Sequence, residues 1–232
     1  MSEGVRDERR GLWVRPFGAV AAVLGWATLG LQFSLSMRLS LDRGKGFVGG
    51  LIIYFSYFTI LTNILVALAL TAALRPARSR VARFFTRPTV NTAIAASIAV
   101  VGIAYTVLLQ HLWHPKGLQL VADTVLHHLM PVLFMAYWWV AVSGDELRWG
   151  QVLRWVFYPV FYFMYAMARG ALSGDYPYPF IDADALGYRR ALGNAGGILL
   201  GFIAVSLLLV AVGRLKGAGR IATVPPSEGR AP

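Results

Sequence analysis

Among 232 residues with no cysteine and four histidines, few side chains can do covalent chemistry, and Thr59, Asp123 and His127 are the three whose types combine into a reaction. A threonine hydroxyl is a weak nucleophile until a base within hydrogen-bond reach takes its proton. A neutral imidazole is such a base near neutral pH, and a carboxylate one helical turn away can hold it in the useful tautomer. Asp123 precedes His127 by four residues, which is that spacing. These are the parts of a Thr-His-Asp arrangement. His128 is the alternative base, because adjacent helical residues point about 100° apart and either ring could face inward. Asn63, Tyr105, Arg169 and Asn194 are expected to line the same pocket. Without cysteine, thiol catalysis, disulfides, thiolate zinc sites and iron–sulfur ligation are excluded.

The elements that must position these groups follow from composition. The chain is 57% apolar and 14% charged, against roughly 45–50% and about 25% in a soluble domain, so a bilayer is the better solvent for much of its surface. Crossing a hydrocarbon core of about 30 Å takes about 20 apolar residues. Six stretches qualify: Pro16 to Ser36, Val48 to Leu74, Val90 to His111, Leu120 to Val142, Val152 to Arg169 and Asn194 to Gly213. The expected fold is an all-α membrane protein, a six-transmembrane-helix bundle over 16–213. A basic tail (1–15) precedes it, and a disordered tail (214–232) follows, with the run Pro225-Pro226-Ser227-Glu228-Gly229. The first stretch is read as a retained helix, since its apolar core exceeds the 7–15 residues of a signal peptide and no A-x-A site closes it.

Charge sets the orientation. Lys and Arg number 22 against 11 Asp and Glu, for a net +11. With the N-terminus inside, fifteen of the basic residues fall on inner segments and seven on outer ones, which places both termini in the cytoplasm of a cell (plasma or inner) membrane. The central loop with Arg75, Arg78, Arg80, Arg83 and Arg87 reads as a topology determinant. No nucleic-acid partner is expected, because no binding motif or larger basic domain accompanies it. The partners are membrane lipids.

In this orientation the polar residues of the spans concentrate in the outer half. Thr59 lies about 17 Å below the outer start of its span and His127 about 10 Å below that of its own, so boundary error allows one shared layer. Blander roles compete. Threonine in a span can bond back to a carbonyl one turn earlier, and histidine can tie helices together. Pro131 is expected to kink the fourth helix, Trp138, Trp139 and Trp155 to form an aromatic belt, and Arg169 to snorkel or pair with Asp123 or Asp175. His111 and His114 stand close enough in sequence to His127 for a zinc or copper site to compete, although the reading adopted has no metal and no cofactor. A further class is a non-catalytic carrier or scaffold, for which no inverted repeat or Gly/Pro-broken helix pair speaks. The prolines of Tyr176-Pro177-Tyr178-Pro179-Phe180 fix an extended path that either folds over the pocket as a lid or only joins two helices.

Three segments in order carry a resemblance: Tyr57-Phe58-Thr59-Ile60-Leu61-Thr62-Asn63, then Asp123-Thr124-Val125-Leu126-His127-His128-Leu129-Met130-Pro131, then Tyr176-Pro177-Tyr178-Pro179-Phe180-Ile181-Asp182. With the six stretches, this resembles the androgen-induced family of integral membrane proteins, especially its bacterial six-span relatives, over nearly the whole chain apart from the tails. The resemblance implies an intramembrane threonine and histidine that hydrolyse fatty acid esters. Thr59 matches the family's threonine, and His127, four residues after Asp123, best matches its histidine. Two departures stand: the proline follows His127 by four residues rather than five, and His128 leaves the choice of histidine open. What is expected, then, is a lipid-ester hydrolase with Thr59 as nucleophile, His127 as base and Asp123 orienting it.

Overall fold

The described residues of this computed structural model, 3–74 and 79–221, fold into helices with no strand among them. The first helix, α1 (Glu3–Asp42), begins well before the first apolar stretch, so from Glu3 onward the basic N-terminal segment is continuous with the span. It ends where Gly44 and Gly46 take φ values of 68° and 66°, in the left-handed region that a β-carbon disfavours. The chain then reverses into α2 (Gly46–Phe55), which meets α3 (Phe58–Ala73) at 75°. The sequence predicts one unbroken span here, and neither Gly nor Pro stands at the break, Ser56-Tyr57. The bend persists because its freed backbone groups find partners. Ser56 Oγ donates to the Ile52 carbonyl, and the Tyr162 hydroxyl donates to the Ser56 carbonyl at 2.8 Å.

In the central basic loop, α4 (Arg80–Phe85) is capped by Ser79, whose hydroxyl accepts from the Ala82 N–H at 3.0 Å. Arg75 and Arg78 of that loop lie outside the described residues. Pro88 opens α5 (Pro88–Ala104), where its missing N–H has no helical partner to lose. α5 continues into a π turn, Tyr105–Leu109. Next, α6 (Leu118–Thr124) passes through a second π turn, Val125–Leu129, into α7 (Met130–Ala141). Pro131 has no N–H to offer the His127 carbonyl, so a regular α-helix cannot be continuous there and the wider turn accommodates the fault.

The fifth apolar stretch is interrupted. α8 (Val152–Trp155) stops ahead of Pro159, which cannot donate to the Trp155 carbonyl, and α9 (Phe157–Ser173) follows. A short α10 (Ala183–Leu186) leads to α11 (Tyr188–Ile221), which remains helical from Arg214 to Ile221 where the sequence suggests a disordered tail. Residues 222–232, with the Pro-Pro run, lie outside the described residues. Four stretches are long and apolar enough to cross a membrane: Val14–Asp42, Pro88–Leu109, Leu118–Ala141 and Tyr188–Gly217. The bent α2–α3 pair makes a fifth if it counts as one span. At 17 residues α9 is shorter than this requirement, so the expected six reduce to four or five on length and apolarity. These helices are compatible with a multi-pass membrane protein.

The core lies among α3, α5, α7 and α11, where Leu70, Ile98, Phe134 and Val210 are fully buried. Trp138 and Trp155 correct the aromatic-belt expectation. Both are buried, and their indole N–H groups donate to Thr92 Oγ1 at 2.9 Å and Thr89 Oγ1 at 3.3 Å. A buried indole needs such a partner, and both come from the start of α5. Trp139 alone of the three is exposed. At the far end of α11, backbone meets backbone: a β-carbon on Gly144 would fall 1.7 Å from the Gly213 carbonyl oxygen. Lys216 donates from Nζ to the Val142 carbonyl at 2.7 Å, occupying a carbonyl left open at the end of α7.

Candidate functional site

The bend between α2 and α3 puts Thr59 in the first turn of α3, buried. Its Oγ1 lies 3.2 Å from Nε2 of His127, which sits in the second π turn. The other ring nitrogen, Nδ1, is 3.0 Å from the Asp123 main-chain carbonyl and 3.3 Å from its Oδ1. A carbonyl oxygen can only accept, so Nδ1 carries the hydrogen and Nε2 presents its lone pair to the Thr59 hydroxyl. Asp123 is held in turn, its Oδ2 accepting from the Tyr105 hydroxyl. The Tyr105 ring also stacks on the His127 ring, centroids 4.1 Å apart and planes 20° from parallel. Both π turns therefore deliver side chains to one place, Tyr105 from the first and His127 from the second. Close approach of the helices makes this contact possible: a β-carbon on Gly102 of α5 would meet the His127 carbonyl oxygen and the Pro131 ring, each at 3.3 Å.

His128 points elsewhere, exposed on the bundle surface and touching Tyr105 only ring edge to face. Of the four expected pocket-lining residues, Tyr105 lines the cavity and the other three do not. Asn63 is fully buried behind Thr59, where its Nδ2 donates to the Thr59 carbonyl at 2.9 Å and the Leu126 carbonyl at 3.2 Å, tying α3 to the π turn. Arg169 donates to the main-chain carbonyl of Asp175 rather than to either expected carboxylate. Asn194 is exposed and donates to the Phe180 carbonyl at 2.8 Å. Depth along a helix was legible in each case; the direction of the side chain around the axis was not. Among the described residues no three His, Asp or Glu side chains are placed to hold a metal ion, so His111 and His114 do not join His127 in one.

Thr59, Tyr105 and His127 open onto a cavity of about 220 Å³ between α5, α9 and α11. Its walls are otherwise apolar, with Val101, Ala104, Val160, Leu199 and Phe202 among them. The Pro-rich segment lies over it: Tyr178, Phe180 and Ile181 are part of the lining, and Tyr178 stacks on Phe180 with centroids 5.0 Å apart.

Three tyrosines not singled out among the expected site residues, Tyr158, Tyr162 and Tyr178, reach the start of α3 or the break before it. The Thr59 N–H donates to the Tyr178 hydroxyl at 3.5 Å, the outer limit of a hydrogen bond. Burial pushes the Tyr178 hydroxyl above the ordinary tyrosine value of 10.0, which keeps its proton in place. Tyr158 and Tyr162, one turn apart on α9, reach α3 by Tyr158 Oη to Thr62 Oγ1 at 3.0 Å and by the Tyr162 bond to Ser56. Their spacing was visible as one helical face; their role in bracing a break in another helix was not.

Chemically, the arrangement can activate a hydroxyl by an imidazole of fixed tautomer, beside an apolar cavity with two hydrogen-bond donors near the hydroxyl. Compared with known proteins, the chain matches no protein-family model, no curated protein and no solved structure.

Proposed function

We propose that the chain is a six-span protein of the cell membrane, with both termini cytoplasmic and α8–α9 as its fifth crossing, and that it hydrolyses lipid esters within the membrane. The observation that carries the reading is the 3.2 Å approach of Thr59 Oγ1 to His127 Nε2. Resemblance to the androgen-induced family points the same way, and the apolar cavity suits a lipid substrate. In the reaction, Thr59 Oγ1 attacks the ester carbonyl while His127 Nε2 takes the hydroxyl proton and then hands it to the leaving alcohol. The acyl group, now esterified to Thr59, is released when water attacks, its proton passing through His127 back to Thr59. Asp123 orients the imidazole, and the Tyr178 hydroxyl, with the Thr59 N–H once it turns from its long contact to Tyr178, donates to the charge that develops on the carbonyl oxygen.

Purified protein in detergent is expected to release fatty acid from a branched lipid ester, with kcat falling at least about 100-fold in Thr59→Ala and in His127→Ala. Full activity in both variants would overturn the mechanism. The bent α2–α3 pair favours a second reading, since carriers build binding sites at helix breaks. That reading requires solute flux in liposomes and no labelling of Thr59 by a fluorophosphonate.

A further inference from the structure

A cavity of about 220 Å³ lies below the range of roughly 300–1,000 Å³ typical of pockets for bulky ligands, and it is lined mostly by apolar side chains. That combination suits a slim chain better than a branched body or a polar headgroup. The cavity is also long for its volume, since its lining on α11 extends from Leu192 to Phe202, ten residues or about 15 Å of helix. Reactive groups occupy one wall: Thr59, His127 and Tyr105. On the α11 side, Gly196 faces the same space, and a β-carbon built on it meets no atom within 4 Å. Phe202, 1% exposed, is the last residue of α11 in that lining, which also holds Val101 and Phe163. One residue of α11 thus leaves room beside the cavity, and another, six residues further on, is bulky, buried and the last of that helix to line it.

We propose that this cavity is an acyl-chain channel whose usable length is set by α11, with Gly196 leaving it open and Phe202 as its floor. The inference rests on the hydrolase reading for where the ester carbonyl sits, at Thr59 Oγ1. It adds which half of the substrate enters: the linear acyl chain runs along α11 toward Phe202, and the alcohol half stays under Tyr178 and Phe180. Both residues act on substrate length rather than on bond making, so their signature is a change of preference among homologous esters.

Two measurements separate this inference from the reading beneath it. The first is hydrolysis of p-nitrophenyl esters from butyryl to palmitoyl by the full chain in detergent. In Gly196→Leu the palmitoyl-to-butyryl ratio of kcat/KM is expected to fall at least about 10-fold, and in Phe202→Ala it is expected to rise, since each added or lost methylene in a fitted apolar site shifts discrimination by about that much. The second needs no turnover. Stearate with a diazirine at its terminal carbon, irradiated with the full chain, is expected to label peptides containing Phe202 or Val101, and Gly196→Leu is expected to abolish that labelling. Labelling at Phe202 without Thr59-dependent hydrolysis would keep the channel and remove the hydrolase. Thr59-dependent hydrolysis with an unchanged chain-length profile in both variants, or labelling confined to exposed residues such as Leu200 and Leu208, would overturn the channel and leave the hydrolase standing.

Discussion

The tautomer of His127 is decided by an oxygen that no side-chain change removes. Nδ1 faces the main-chain carbonyl of Asp123 at 3.0 Å, nearer than the carboxylate at 3.3 Å, so the helix itself takes part in orienting the base. Residue types and spacing made Thr59, Asp123 and His127 legible, because four residues along a helix fix who can reach whom. Tyr178 was legible only as part of a proline-rich path. Nothing in its neighbours says that its hydroxyl comes within 3.5 Å of the Thr59 N–H, 119 residues earlier. If it donates to the oxyanion, Tyr178→Phe removes a bond made chiefly in the transition state. The expected outcome is a fall in kcat of about 100-fold with KM little changed, measured on the same lipid ester. A raised KM at unchanged kcat would instead make Tyr178 a part of the cavity wall.

At the scale of elements, the breaks matter more than the long helices. Apolar runs announce a span but carry no record of whether it is straight, and the α2–α3 bend depends on Tyr162 from α9 satisfying the Ser56 carbonyl. Separation in sequence likewise hid the burial of Trp138 and Trp155, whose partners Thr92 and Thr89 lie on another helix. The segment covering the cavity is tethered at its root by an ion pair, Lys45 Nζ to Asp175 Oδ2 at 2.8 Å. Its hydrogen bond to Lys45 holds the Asp175 carboxyl below the ordinary 3.8. A carboxylate lowered in this way contributes its full tethering above about pH 3.8, and the contribution fades as pH falls through the lowered value. Both side chains are about half exposed, so the effect is small and weakens in salt. Amide exchange over residues 174–181, corrected for its intrinsic rate, is expected to be flat from pH 8 to 5 and to quicken only below about 3.8. Lys45→Met should quicken it at neutral pH. An acceleration already present between pH 7 and 5 would assign the tether to another group.

For the whole molecule, the number of crossings turns on α9. Composition and charge lead to the expectation of an all-helical, apolar chain with its basic loops inside, but both are averages, and the break at Val156 ahead of Pro159 divides a stretch whose average looked adequate. Because the chain contains no cysteine, each one introduced is a unique chemical handle. Glu146 before α8 and Asp184 beyond α9 are both exposed. In intact cells a membrane-impermeant maleimide is expected to label Asp184→Cys, and to label Glu146→Cys only after permeabilisation. Equal labelling of both would leave α9 lying along one face and reduce the crossings to five. The π turn that holds His127 also bears on how the chain withstands changes in its own length. Loss of Val125 would return Val125–Leu129 to ordinary helix and carry His128 into the position four residues after Asp123. The paired histidines therefore give the most geometry-dependent stretch of the chain a spare ring, available to any descendant sequence one residue shorter.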